Sequence, residues 1–227
     1  LRNTIILKQF PSSKFYSSTF NFKFCSEKKD FQPTKFDTIN ILRNIELLIN
    51  NKIPKIKFNL NSINLKYFKE AERLLPDNNY IGFSMTQGNA YRKKSWSIEK
   101  FLNIAKQISK KNKKPVFFVE KSNQELIRKI KYNINDALFP EMESLLSGPP
   151  LVTALSSRLE KAISIDNGIM HMMSLAEIPM IVLFGPTNPK KFAPKLKNIK
   201  ILDSKNHYQS DDISKITEDD VMHVLNI

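Results

Sequence analysis

The sequence predicts an α/β fold: a doubly wound parallel sheet over residues 77–227, preceded by part of a second domain over residues 1–76. Three observations carry this reading. From Tyr80 onward, short apolar runs alternate with helix-period segments. Between Ala162 and Pro194, two apolar runs are joined by a crossover of about a dozen residues, which suits parallel neighbours and not a hairpin. The first 35 residues, by contrast, follow neither the helix nor the strand period.

In chain order, residues 1–35 scatter six phenylalanines among Ser, Lys and Pro with neither helix nor strand period, and need something to bury them. Phe36 to Asn50 reads as an amphipathic helix, with Phe36, Ile39, Leu42, Ile45, Leu48 and Ile49 on one side. Ile56 to Leu60 alternates like a strand, and Leu65 to Leu75 reads as a helix stopped by Pro76. Tyr80 to Met85 is the first strand of the sheet, followed by a loop through Lys94. Ser97 is expected to cap a helix whose stripe is Ile98, Phe101, Leu102, Ala105 and Ile108. Pro115 to Val119 reads as a strand, Asn123 to Tyr132 as a helix, Ala137 to Phe139 as a short strand, and Leu151 to Leu159 as a helix. The organising unit follows: a strand ending in Asp166-Asn167-Gly168, a helix through Met170 and His171, and the strand Met180 to Phe184 ending in Gly185-Pro186-Thr187. Ile199 to Leu202 would be a last strand. Thr217 to Asp220 opens a final helix with a capping-box pattern.

Parallel strands bring both turns to the carboxyl edge of the sheet, where open α/β sheets bind ligands. A helix opening at Gly168 presents unpaired N–H groups and the positive end of its dipole. Gly168 and Gly185 would let a ligand approach the main chain, while Thr187, Asn167 and His171 add donors. This combination favours an anion, above all a phosphate. Lys94, in the loop after the first strand, reaches the same edge and would neutralise charge on a departing group. The competing structural reading makes Asp-Asn-Gly a plain turn, Gly-Pro-Thr a strand exit, and Lys94 part of a solvated basic loop with Trp96 packed beneath the helix. Asp166 has three jobs open to it: capping the helix, orienting His171, or bonding sugar hydroxyls.

Composition bounds the rest. Hydrophobic residues at 41% suffice for a core, and the single cysteine excludes an internal disulfide. The three histidines lack ligand spacing, so no metal is expected. The net charge of +14 admits nucleic acid, an anionic membrane or an acidic substrate, but no RNA-recognition, zinc-finger or helix-turn-helix pattern supports nucleic acid. No apolar run approaches the ~20 residues of a membrane span. The start at Leu1, not methionine, suggests a chain cut from something longer.

The segments Asp166-Asn167-Gly168-Ile169-Met170-His171, Leu183-Phe184-Gly185-Pro186-Thr187-Asn188-Pro189 and Lys94-Ser95-Trp96 resemble the signature of family 9 glycosyltransferases, the bacterial lipopolysaccharide heptosyltransferases. The likeness runs from about Asn78 to the C-terminus. It implies a GT-B-like arrangement whose C-terminal, Rossmann-like domain binds the donor and whose N-terminal domain is incomplete here. It further implies a metal-independent, inverting transfer from ADP-heptose to a phosphorylated glycolipid of the lipopolysaccharide core. The enzyme would be cytoplasmic and touch the anionic inner membrane face, and would need no cofactor, because the nucleotide-sugar is a substrate. By that resemblance Lys94, Gly168, His171, Gly185 and Thr187 meet the diphosphate. Asp166, Asn167, Met170, Pro186 and Glu125 meet the sugar and nucleoside, with Glu125 on the ribose and Glu120 its near rival. The family pattern departs at Asn167, where Thr or Ser is usual, and at Met172-Met173, where small residues usually pack. The family's general base, an aspartate in a Gly-Asp turn, has no counterpart before Asp77, where only Asp30 and Asp37 occur. The base is therefore unassigned and expected upstream. Two rival functions follow: a noncatalytic nucleotide or nucleotide-sugar binding module, and a basic RNA-associated Rossmann protein.

Overall fold

The computed structural model describes residues 1–33, 38–54, 58–88 and 93–227. Its contacts divide the chain into two compact units, Leu1–Lys57 and Phe58–Ile227.

The first unit holds α1 (Arg2–Lys8) and α2 (Thr38–Ile49). Helix α1 escaped the sequence reading because Ile5, Ile6 and Leu7 are consecutive and all exposed, so no apolar stripe marks it. Several of the scattered aromatics pack on one another: Phe22 stacks on Phe31 at 4.4 Å, and Tyr16 meets Phe31 edge-on at 6.2 Å. Asn44 of α2 grips the backbone of Gln32, accepting from its N–H at 2.8 Å and donating to its carbonyl at 2.7 Å. Phe36, expected to start this helix, lies outside the described residues, as does Ile56 of the strand expected next.

The second unit opens with a 3-10 turn, Leu60–Ser62, where the strand was expected to end. It continues with α3 (Leu65–Leu74), β1 (Tyr80–Ser84), α4 (Ile98–Lys110), β2 (Lys114–Phe117), α5 (Gln124–Asn133) and α6 (Pro149–Ser156). Then come β3 (Leu159–Ile165), α7 (Gly168–Leu175), β4 (Met180–Phe184), α8 (Pro189–Phe192), β5 (Ile199–Asp203), α9 (Ser204–Tyr208) and α10 (Glu218–Leu225). The five strands pair in parallel in the order β2-β1-β3-β4-β5. This is the doubly wound order that reverses direction between β1 and β3. The contact division falls at Phe58 and not at Asp77 because α3 packs on α6, within the sheet unit.

Alternation along each strand feeds two cores. Ile81, Phe83, Ile163, Ile165, Ile181 and Leu183 join residues of α4, α5 and α10 on one face. Tyr80, Ala162, Met180, Val182 and Phe184 join residues of α3, α6 and α7 on the other. Burial on both faces is why these strands read as unbroken apolar runs.

Three local expectations change. Ser97 precedes α4 but makes no side-chain cap bond, and its hydroxyl donates to Glu99 Oε2 at 2.8 Å instead. The strand expected over 137–139 shrinks to a single bridge, Val116 to Leu138. Helix α6 starts earlier, at Pro149, whose ring presets the first turn, and Leu159 belongs to β3. The capping box at Thr217 is present as read: its hydroxyl accepts from Asp220 N at 3.1 Å, and Asp220 Oδ2 accepts from Thr217 N at 2.7 Å.

Candidate donor-binding site

After β1 the chain crosses to β2 on one side and after β3 to β4 on the other, the switch point where open α/β sheets characteristically bind ligands beyond the carboxyl ends of the strands. Asn167 links the two strand exits. Its Oδ1 accepts from Met170 N at 2.8 Å and caps α7, while its Nδ2 donates to Ser84 Oγ at 2.7 Å and to Thr86 O at 2.9 Å. Both amide hydrogens are thereby used, so Asn167 braces the two loops and has no donor left for a sugar. Capping by Asn167 also corrects the capping role left open for Asp166.

Asp166 does something else. It is 6% exposed, and its Oδ2 receives both the Lys94 ammonium and the Thr187 hydroxyl, the latter at 2.7 Å. Lys94, 8% exposed, also lies 3.4 Å from the Asp166 carbonyl and 5.6 Å from the centroid of the Phe192 ring. Residues from the exits of β1, β3 and β4 thus meet on one oxygen atom. At this burial an unpaired charge costs several kcal/mol, so each partner depends on the other. Thr187 spends its hydroxyl hydrogen on Asp166, which leaves lone pairs and its backbone N–H for a ligand. Its expected role as a hydroxyl donor to phosphate does not fit this arrangement.

The remaining residues separate. Gly168 opens α7 with no atom within 4 Å of where a Cβ would stand, so its main chain is accessible. His171 is exposed one turn later. Met170 is fully buried in the core shared by α6 and α7, which removes it from the ligand face. Gly185 is packed on one side. A Cβ there would lie 2.7 Å from Ile213 Cβ and 3.0 Å from Asp211 O, so the absence of a side chain is already required by the packing of the 211–213 segment. Pro186 is exposed beside it. Glu125 is exposed in the first turn of α5, behind the Asn123 cap and at the carboxyl edge of β2.

Sequence reasoning missed a cleft of about 250 Å³ beyond Thr187, lined by Gly185, Pro186, Asn188, Lys190, Asp203 and Asn206 among others. The Asn188-Pro189 start of α8, where Asn188 Oδ1 accepts from Lys190 N at 2.9 Å, was the available signal. Trp96, read as packing beneath a helix, is buried edge-on against Phe101 at 4.9 Å, and its Nε1 donates to Ile216 O at 2.9 Å. Among the described residues, no group of three or more His, Cys, Asp or Glu side chains could hold a metal ion. No described helix is long and apolar enough to cross a membrane.

Compared with known families, residues 32–222 match the sequence model of glycosyltransferase family 9 (heptosyltransferase). The chain belongs to glycosyltransferase family 9. Comparison with curated protein sequences returns no match. Among solved structures, this family 9 chain resembles E. coli heptosyltransferase WaaC with ADP (TM-score 0.63, 15% identity, 89% of this chain and 59% of that one). It also resembles a family 9 glycosyl transferase from Veillonella parvula (TM-score 0.61, 19% identity, 72% and 51%). A third is E. coli ADP-heptose LPS heptosyltransferase II (TM-score 0.59, 16% identity, 77% and 54%). At these identities the likeness establishes the shared fold. The chain spans between half and three-fifths of the length of these structures.

Proposed function

We propose that the Phe58–Ile227 unit binds the donor of a sugar transfer, an ADP-activated heptose-like sugar, in the crevice between β1 and β3. The observation that carries this reading is the convergence of Lys94 and Thr187 on Asp166 Oδ2 beside the open start of α7. The free N–H groups of Gly168 and Ile169 take the diphosphate at the positive end of the α7 dipole, with His171 one turn away. Lys94, held by Asp166, directs its remaining N–H bonds at the leaving group and neutralises the charge that builds there. Both bonds to Asp166 end on Oδ2, so Oδ1 serves a sugar hydroxyl, while Pro186 bounds the sugar and Glu125 accepts from the ribose hydroxyls.

The reaction is an in-line displacement with inversion. The acceptor is a phosphorylated glycolipid of the lipopolysaccharide-core kind, and its hydroxyl gives up its proton to a base in the acceptor domain, of which the Leu1–Lys57 unit is a part. Work on such an acceptor places the protein in the cytoplasm against an anionic inner leaflet, which its net charge of +14 suits. The presence of ADP and of ADP-heptose in the names of two structural neighbours supports the choice of nucleotide.

Calorimetry with ADP, UDP and GDP tests the reading. ADP should bind best, and Lys94→Ala should weaken it by about 1–3 kcal/mol, the scale of a charged hydrogen bond. Equal affinity for all three nucleotides would overturn the donor assignment. ADP binding without sugar transfer to any lipopolysaccharide-core acceptor, by a protein carrying the whole acceptor domain, would reduce the donor unit to a binding module.

A further inference from the structure

Lys94 and Thr187 each stand two residues from an anchor, and both anchors grip the same turn. Trp96 donates from Nε1 to Ile216 O at 2.9 Å with its ring wholly buried. Gly185 lies so close to Ile213 that a Cβ would stand 2.7 Å from the isoleucine Cβ and 3.0 Å from its backbone nitrogen. Between these contacts runs the 3-10 turn Ile213–Lys215, capped by Asp212, whose Oδ1 accepts from Ser214 N at 2.9 Å. Lys100 of α4 closes the arrangement. Its ammonium donates to Ser214 O and to Ile216 O, both at 2.7 Å, and lies 5.5 Å from the Trp96 ring centroid. Ile213 and Ile216 are buried in the same core as Trp96.

We infer that the Ile213–Ile216 turn is a spacer that sets the separation of Lys94 from Thr187, with Trp96, Lys100 and Gly185 as its positioning residues. Each loop is fixed to a body that neither contains, and a hydrogen bond from a buried indole leaves little angular freedom. A spacer of this kind holds the Lys94 ammonium on Asp166 before any ligand arrives, which is the preorganisation that charge stabilisation requires. That last step rests on the proposed diphosphate role of Lys94, whereas the spacing itself does not.

Two measurements separate the ideas. Acetylation of lysines by acetic anhydride, read residue by residue by mass spectrometry without ligand, reports how firmly Lys94 is held. Trp96→Phe keeps an aromatic ring but loses the bond to Ile216, and Lys100→Met loses both carbonyl bonds while keeping the aliphatic stem. Either variant should raise Lys94 acetylation about three- to tenfold, the scale of one hydrogen bond, with exposed Lys110 unchanged. ADP affinity should fall by a similar factor, and the fall should vanish in a Lys94→Met background. Unchanged Lys94 acetylation in both variants would overturn the spacer. An affinity loss of equal size with and without Lys94 would do the same, because it would mean general loosening. Should acetylation rise while Lys94→Met binds ADP like the parent, the spacer stands and the diphosphate role of Lys94 falls.

Discussion

Thr187 donates its hydroxyl hydrogen to Asp166 Oδ2 at 2.7 Å, on the same oxygen that receives the Lys94 ammonium. One carboxylate oxygen therefore orders a side chain from the exit of β1 and another from the exit of β4. The arrangement makes Asp166 the hub on which both loops depend.

Removing either member of the buried pair should cost more than removing both. Lys94→Met leaves the Asp166 carboxylate buried without its cation, and Asp166→Leu leaves the ammonium. Each should destabilise by about 3–5 kcal/mol, and the double variant by less than either single one. Urea unfolding of the four proteins checks this, and additive losses would contradict it.

The two glycines of the motif should separate cleanly. Gly185→Ala forces Ile213 aside and should destabilise by about 1–3 kcal/mol, the usual range for overpacking. Gly168→Ala meets no atom within 4 Å and should leave thermal stability unchanged or slightly raised. On the proposed donor role its ADP affinity should nevertheless fall, since a methyl group would stand where that reading brings the diphosphate to the main chain.

Asn167→Asp is a graded test of the brace. The substitution preserves the acceptor for Met170 N but abolishes both donations to Ser84 Oγ and Thr86 O. A loss of about 1–3 kcal/mol is expected from the buried acceptors left unpaired. Asn167→Ala should cost about 1 kcal/mol more, through loss of the cap. Thermal denaturation of both variants provides the ranking.

Two glutamates should give the stability profile opposite slopes with pH. The Arg73 guanidinium, with the Ser144 hydroxyl, holds the Glu70 carboxyl down to about 2 from an ordinary 4.5. Its contribution is complete above the unfolded value and is lost as pH falls from about 4.5 toward 2. Burial pushes the Glu141 carboxyl upward, against the pull of Lys121 and with the help of Glu120. The folded state then holds that proton longer than the unfolded chain, so stability declines as pH rises above 4.5 through the raised value. Glu70→Gln should flatten the acid limb, and Glu141→Gln the decline above it, in urea titrations across pH.

Much of this architecture was legible locally. The period of the apolar residues located all five strands and α3, α4, α5 and α7, because burial on one face or two imprints directly on spacing. Thr217 and Asp220 announced the last helix through a capping pattern confined to four residues. Helices α1, α8 and α9 left no such imprint, being only seven, four and five residues long. The two turns and Lys94 could be placed at one edge of the sheet because parallel strands leave no other choice.

What each residue does at that edge was another matter. Asp166 finds Lys94 at a distance of 72 residues along the chain, and Asn167 finds Ser84 at 83. The reason for Gly185 is Ile213, which no local pattern connects to it. Short-range spacing encodes which way a side chain points, since that depends on the helix or strand it belongs to. The partner it meets depends on how separate elements pack, and that sum of many distant contacts is written at no single position.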